Sequence, residues 1–342
     1  MKKITAFALL ATAAAAASAQ SSVTLFGIVD ASVRSVKNGD DTVKSLSNNG
    51  LSSSRLGFRG VEDLGGGLKA SFWLEHGFNS DTGSVSDANR FWNRRSTVGL
   101  SGGFGEVRLG RELTPTFTGF GDFDVFGTNG IGAADKFNST LSSGADTATR
   151  SDNGVSYILP SGIGGVYGQF TFAPGEGTVG KKYYAGRVGY SAGPLNTSVA
   201  YGVTKVAAVA GNEDFKTLSL GASYDFGFVK LLGYYQRNEA GDQQLSNFNL
   251  GGSFPVGAVG QIRVSYIRAN LDGTVGGLSV DENDATQLAI GYVHALSKRT
   301  SLYGTVARVD NKGAARFALA SSPAIAAGQD SSGYEFGIRH SF

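Results

Sequence analysis

Leu68-Lys69-Ala70-Ser71-Phe72-Trp73-Leu74-Glu75-His76-Gly77-Phe78 sets Leu68, Ala70, Phe72, Leu74, His76 and Phe78 on one parity and Lys69, Ser71, Trp73, Glu75 and Gly77 on the other. Side chains of an extended chain alternate between two faces, so this segment reads as a β-strand with one apolar side. The alternation recurs downstream. Leu218, Leu220, Ala222 and Tyr224 oppose Thr217, Ser219, Gly221 and Ser223, and Ile262, Val264 and Tyr266 oppose Gln261, Arg263 and Ser265. No helical period of useful length accompanies it. The pattern predicts about sixteen strands between residues 22 and 342, most about ten residues long, which is the length that crosses a bilayer at a tilt.

The links between strands sort by length. Tight links at 63–67, 102–105, 161–164, 225–227 and 295–298 follow even-numbered strands, while long polar links at 35–53, 79–91, 113–151, 271–282 and 310–331 follow odd ones. Short turns at one end and long loops at the other mark an antiparallel transmembrane β-barrel, and a soluble sandwich has no reason to sort its loops this way. Aromatic residues near strand ends, such as Phe72, Tyr190, Tyr224, Tyr266 and Tyr292, suit the girdles of such a barrel.

Composition agrees. The chain has 342 residues, 51 Gly, 6 Pro and no Cys, with 30 Lys and Arg against 28 Asp and Glu. Absence of Cys excludes disulfide frameworks and thiolate sites, and the small net charge speaks against a nucleic-acid partner. Met1-Lys2-Lys3, the small apolar run to Ala17 and the Ala17-Ser18-Ala19 site predict a signal peptide over 1–19, leaving 20–342 as the barrel. Without the two leader lysines the basic residues number 28, equal to the acidic ones. Lipid requires only one residue in two to be apolar, and the lumen accepts the polar remainder.

The end of the chain carries another signal. Tyr334, Phe336, Ile338, His340 and Phe342 share one parity, with Glu335, Gly337, Arg339 and Ser341 on the other. This predicts a closing strand with an outward aromatic stripe that pairs with the first strand.

These residues together resemble a known family. Val23-Thr24-Leu25-Phe26-Gly27, Ser54-Arg55-Leu56-Gly57-Phe58-Arg59-Gly60, Arg95-Ser96-Thr97-Val98-Gly99-Leu100, Gly105-Glu106-Val107-Arg108-Leu109-Gly110-Arg111 and the terminal Phe342 are similar to the Gram-negative general diffusion porins, in detail to their beta-proteobacterial branch. The resemblance spans the mature chain. It implies a sixteen-stranded barrel assembled as a homotrimer, with a third loop folded into each water-filled channel. It also implies passive passage of small hydrophilic solutes and inorganic ions, with no cofactor. The implied surroundings are outer-membrane lipid and lipopolysaccharide, and the barrel-insertion machinery would read Phe342.

The implied constriction has two sides. Matching phrases carry its basic positions to Arg55, Arg95 and Arg150. Parity adds Arg59, because Leu56 and Phe58 face lipid. Arginine stays charged at physiological pH and favours anions when it lines a pore. On the loop, Asp122 and Asp124 are expected to face water across the passage. Relatives often carry a Glu further along this loop. Residues 113–151 contain none, only Asp122, Asp124, Asp135 and Asp146, which tilts the reading toward mild anion preference. Lumen-parity aromatics such as Trp73, Tyr167 and Tyr234 look scattered, which weighs against a substrate-specific channel.

An enzyme would need a positioned base. His76, His294 and His340 all fall on the outward parity, and the chain has no GxSxG, HExxH or GxxxxGK[ST] motif. A surface adhesin built as a solenoid would need repeats of fixed length, and no motif repeats.

Overall fold

The computed structural model describes residues 22–209 and 211–342, so the leader expected at 1–19 lies outside the described residues. The chain runs through β1 (Ser22–Asn38), β2 (Asp41–Asn48), β3 (Arg55–Gly65), β4 (Leu68–Gly77), β5 (Arg95–Gly102) and β6 (Gly105–Leu113). After the long third loop come β7 (Arg150–Ile158), β8 (Val166–Ala173), β9 (Tyr183–Ala192), β10 (Leu195–Val209), β11 (Asn212–Asp225) and β12 (Lys230–Ala240). The last are β13 (Gln243–Val256), β14 (Gly260–Val275), β15 (Leu278–Ser279), β16 (Ala285–Ala295), β17 (Thr300–Asn311) and β18 (Ser331–Ser341). Two of these eighteen segments, β2 and β15, only extend hairpins at the loop end, leaving the sixteen antiparallel strands of the wall.

Closure is made by β1. On one edge it pairs with β3, from Ser22↔Val61 to Ile28↔Arg55, and on the other with β18, from Ile28↔Ser341 to Asn38↔Ser331. Gly27 and Phe342 exchange both backbone hydrogen bonds, each 3.0 Å. The terminal residue therefore seats the last strand on the first, and the sheet has no open edge.

Burial is inverted relative to a soluble protein. Val306 is 59% exposed on the outer face, while Asn249 and Ser265 are fully buried on the inner one. Register confirms the parity: outward Leu56 pairs with His76 and Phe58 with Leu74, whereas inward Arg59 pairs with Trp73 and Trp73 with Thr97. His294 and His340 lie on the outside, His294 half-buried beside Tyr292 and His340 exposed beside Thr300. His76 differs, being buried under the stacked ring of Phe91.

The third loop, residues 114–149, folds into the barrel. It opens with α1 (Pro115–Gly121), capped by Thr114, whose Oγ1 accepts from Phe117 N, with proline in the first turn, where its missing N–H costs nothing. Thr116 O accepts from Ser219 Oγ at 3.2 Å, and Thr116 Oγ1 meets Tyr183 Oη at 2.9 Å. Phe123, Val125 and Phe126 then enter spaces that inward Gly221, Gly251 and Gly291 leave open, since a Cβ at any of them would meet those side chains. Phe120, Phe123 and Phe137 are fully buried, and each contributes about 1.5–3 kcal/mol by leaving water. Further on, Ile131 N donates to Glu335 Oε1 (3.0 Å), Gln287 Nε2 to Gly132 O (2.8 Å) and Asn247 Nδ2 to Phe137 O (2.7 Å). Gly130, at φ +74°, touches the Gly50 backbone, where no side chain fits. The loop thus lines the interior from β9 round to β18 and leaves β3 to β7 bare.

Candidate functional site: two walls of one passage

The bare wall is built around Glu75. Its Oε1 accepts from Arg55 Nη1 (3.2 Å) and Arg94 Nε (2.6 Å), and its Oε2 from Trp73 Nε1 (3.0 Å). Arg55 also donates from Nε to Ser53 O, and Arg150 donates from Nε to Arg94 O, both at 2.8 Å. Arg55, Arg94 and Arg150 therefore form one basic group at the loop end of the bare wall, with Glu75 holding two of them. Arg150 has no carboxylate partner among the described residues.

Arg95 does not join that group. It lies inward as parity predicts, but its Nε donates to Thr97 Oγ1 (3.1 Å) and its guanidinium carbon sits 4.5 Å from the Trp73 ring centre. The neighbour Arg94 takes the expected position instead. It lies in a bend just before β5 begins at Arg95, where strand parity no longer dictates direction. The start of β5 was the only signal that could have revealed it.

Arg59 is inward and exposed, its guanidinium 5.2 Å from the Trp73 ring and 5.4 Å from that of Phe26. Phe26 and Trp73 meet edge to face at 5.2 Å. The inward aromatics are therefore not all scattered: strand pairing gathers two of them with two arginines. Nearer the loops, Asp152 pairs with Arg111 (2.5 Å), Arg90 (3.3 Å) and Lys181 (3.6 Å). Toward the turn end, Arg108 is held by Glu106 and Glu112 at 2.8 and 2.6 Å.

The loop wall departs from expectation at Asp124. Its carboxylate is buried and accepts from Phe126 N, Thr128 N and Ala134 N, each at 3.0 Å. Three amides converge there because the chain turns sharply on itself, so Asp124 ties the loop together and does not face the passage. Burial pushes its carboxyl above the ordinary carboxylate range. Asp122 is half exposed as expected, but Arg187 Nη1 neutralises it at 2.7 Å. Lys136 donates to Ile131 O, Ala133 O and Gln287 Oε1, and burial lowers it to about 8. With Arg34, Arg316 and Asn49 it lines a cavity of about 580 Å³ at the loop end.

A closed barrel with an apolar exterior, a charged interior and one internal loop defines a water-filled channel of the outer membrane. Residues 5–314 match the family model of the Gram-negative porins. Over its whole length the chain is 42% identical to outer membrane porin protein 32 of Delftia acidovorans, covering 99% of that protein. An outer membrane porin of Bordetella pertussis is 31% identical across 88% of this chain and 92% of its own. Among solved structures, an anion-selective porin from Comamonas acidovorans superposes with a TM-score of 0.85 at 40% identity, covering 94% of this chain and all of that one. The chain belongs to the Gram-negative porin family. It is a passive diffusion channel of the outer membrane.

Proposed function

We propose that this porin passes small hydrophilic solutes with a preference for anions, and that Arg55, Arg94 and Arg150 set the preference at its constriction. Arg59 and Arg95 extend the basic wall toward the turn end. The carrying observation is unequal partnering: Asp124 is enclosed by amides and Asp122 is paired with Arg187, whereas Arg150, Arg59 and Arg95 have no carboxylate partner among the described residues. Unneutralised arginines in a narrow aqueous passage favour anions and repel cations. The similar Comamonas structure, described as an anion-selective porin, supports the same reading.

The working unit under this reading is a homotrimer in outer-membrane lipid and lipopolysaccharide. Phe91 and Trp92 lie over Phe58 and His76 on the outer face, an aromatic patch suited to a neighbouring subunit. Phe342 would be the residue read by the barrel-insertion machinery, and the diffusion step needs neither catalysis nor cofactor. The test is the zero-current potential across a bilayer holding the reconstituted protein in a potassium chloride gradient. Anion preference in the wild type that weakens in Arg55→Ala, Arg94→Ala and Arg150→Ala is the expected result, and cation preference in the wild type overturns the reading.

A further inference from the structure

We propose that the stack of Arg59, Trp73 and Arg95 is a resting site for planar aromatic anions, of the aryl carboxylate class, on their way through the channel. The proposal rests on the anion preference above and adds a class of solute to it.

The site is built by strand register. Trp73 on β4 pairs with Arg59 on β3 and with Thr97 on β5, and Thr97 Oγ1 in turn holds Arg95. Two guanidiniums therefore reach the indole from its two flanking strands, 5.2 and 4.5 Å from its centre. Glu75 fixes the ring through Nε1, and Phe26 braces it edge-on. The stack adjoins the Arg55 group on its turn side: Trp73 shares Glu75 with that group, Arg95 follows Arg94, and Arg59 lies four residues beyond Arg55 along β3.

Its arginines differ from most on this wall. Arg55, Arg94, Arg108 and Arg111 each meet a carboxylate. Among the described residues Arg59 has neither ion pair nor hydrogen bond and is held by ring faces alone, and Arg95 uses only Nε. Arg59 is exposed and Arg95 half-buried, and their remaining N–H donors have no hydrogen-bond partner among the described residues.

Such a surface suits one kind of solute. A guanidinium is weakly hydrated, stacks on aromatic faces and takes a carboxylate in a two-pronged contact. A benzoate-like anion can place its carboxylate on one fork while its ring lies against the guanidinium or indole plane. Acetate has only the charge, and cyclohexanecarboxylate has charge and bulk but no π-face.

The experiment adds potassium benzoate, cyclohexanecarboxylate or acetate to single channels of the full-length protein carrying chloride current. Benzoate is expected to reduce the current at a concentration about three- to tenfold lower than cyclohexanecarboxylate. Trp73→Leu and Arg59→Gln should each bring the two together, and Trp73→Phe should keep them apart. Equal effects of benzoate and cyclohexanecarboxylate on the wild type overturn the proposal without any variant, as does discrimination that survives Trp73→Leu. Zero-current potentials on the same membranes separate the two readings: retained anion preference with no discrimination removes the aromatic site alone, and cation preference removes both.

Discussion

The two walls of the passage satisfy their charged groups differently. On the loop wall, amides enclose Asp124, Arg187 pairs with Asp122, and Glu335 accepts from Arg34 and Ile131 N. On the bare wall Glu75 serves Arg55, Arg94 and Trp73, while Arg59, Arg95 and Arg150 form no ion pair among the described residues. A chain with nearly balanced charge can therefore hold a one-sided passage. What matters is which charges are consumed in holding structure and which remain open to water.

The largest effect should come from removing the tie in the loop wall. Asp124→Ala leaves three amide donors without their acceptor, at a cost of about 3 kcal/mol or more. The folded barrel should lose its compact electrophoretic form at lower temperature and its single-channel current should become noisy; an unchanged transition and quiet channels would show that the loop needs no such tie. Gly221→Val should follow, since a side chain there collides with Phe123 and costs about 1–3 kcal/mol. Altered conductance with normal assembly is the expected reading.

The bare wall is sharpened by a pair of changes with opposite sign. Arg150→Ala removes an open positive charge and should lower the anion-to-cation permeability ratio about fivefold, whereas Glu75→Gln removes the neutralising acid and should raise it by a similar factor. Shifts of zero-current potential in the same direction for both would refute the division between paired and unpaired arginines. The smallest effect concerns pH. Lys136, lowered to about 8, is cationic below that value and neutral above it, whereas the arginines stay charged. Anion preference should therefore decline slightly as pH rises from 7 to 9, and Lys136→Gln should be flat over that range.

Much of this was legible in the residues. Strict alternation allows only one face of each strand to meet lipid, so Arg55, Arg59 and Arg95 had to point inward, and the sorted link lengths required an up-and-down barrel. The terminal aromatic stripe likewise required a last strand that Phe342 closes against the first. The fate of Asp122 and Asp124 was not legible. They stand two residues apart in similar sequence, and only the turn that brings the amides of Phe126, Thr128 and Ala134 together decides that one is a buried anchor and the other a half-exposed charge paired with Arg187.

The same limit explains Arg94 and the aromatic stack. Parity works while the backbone is a regular strand and fails in the bend before β5, where Arg94 turns inward to Glu75. Phe26 and Trp73 are 47 positions apart, and they meet because β1 and β4 both flank β3. Local alternation by itself determined the barrel and its inner and outer faces, because those depend on period and length alone, and particular phrases such as those at 54–60 and 105–111 carried the likeness to the porins. Which charges are neutralised was decided only by tertiary structure, because an ion pair depends on distances between strands that no single stretch of sequence contains.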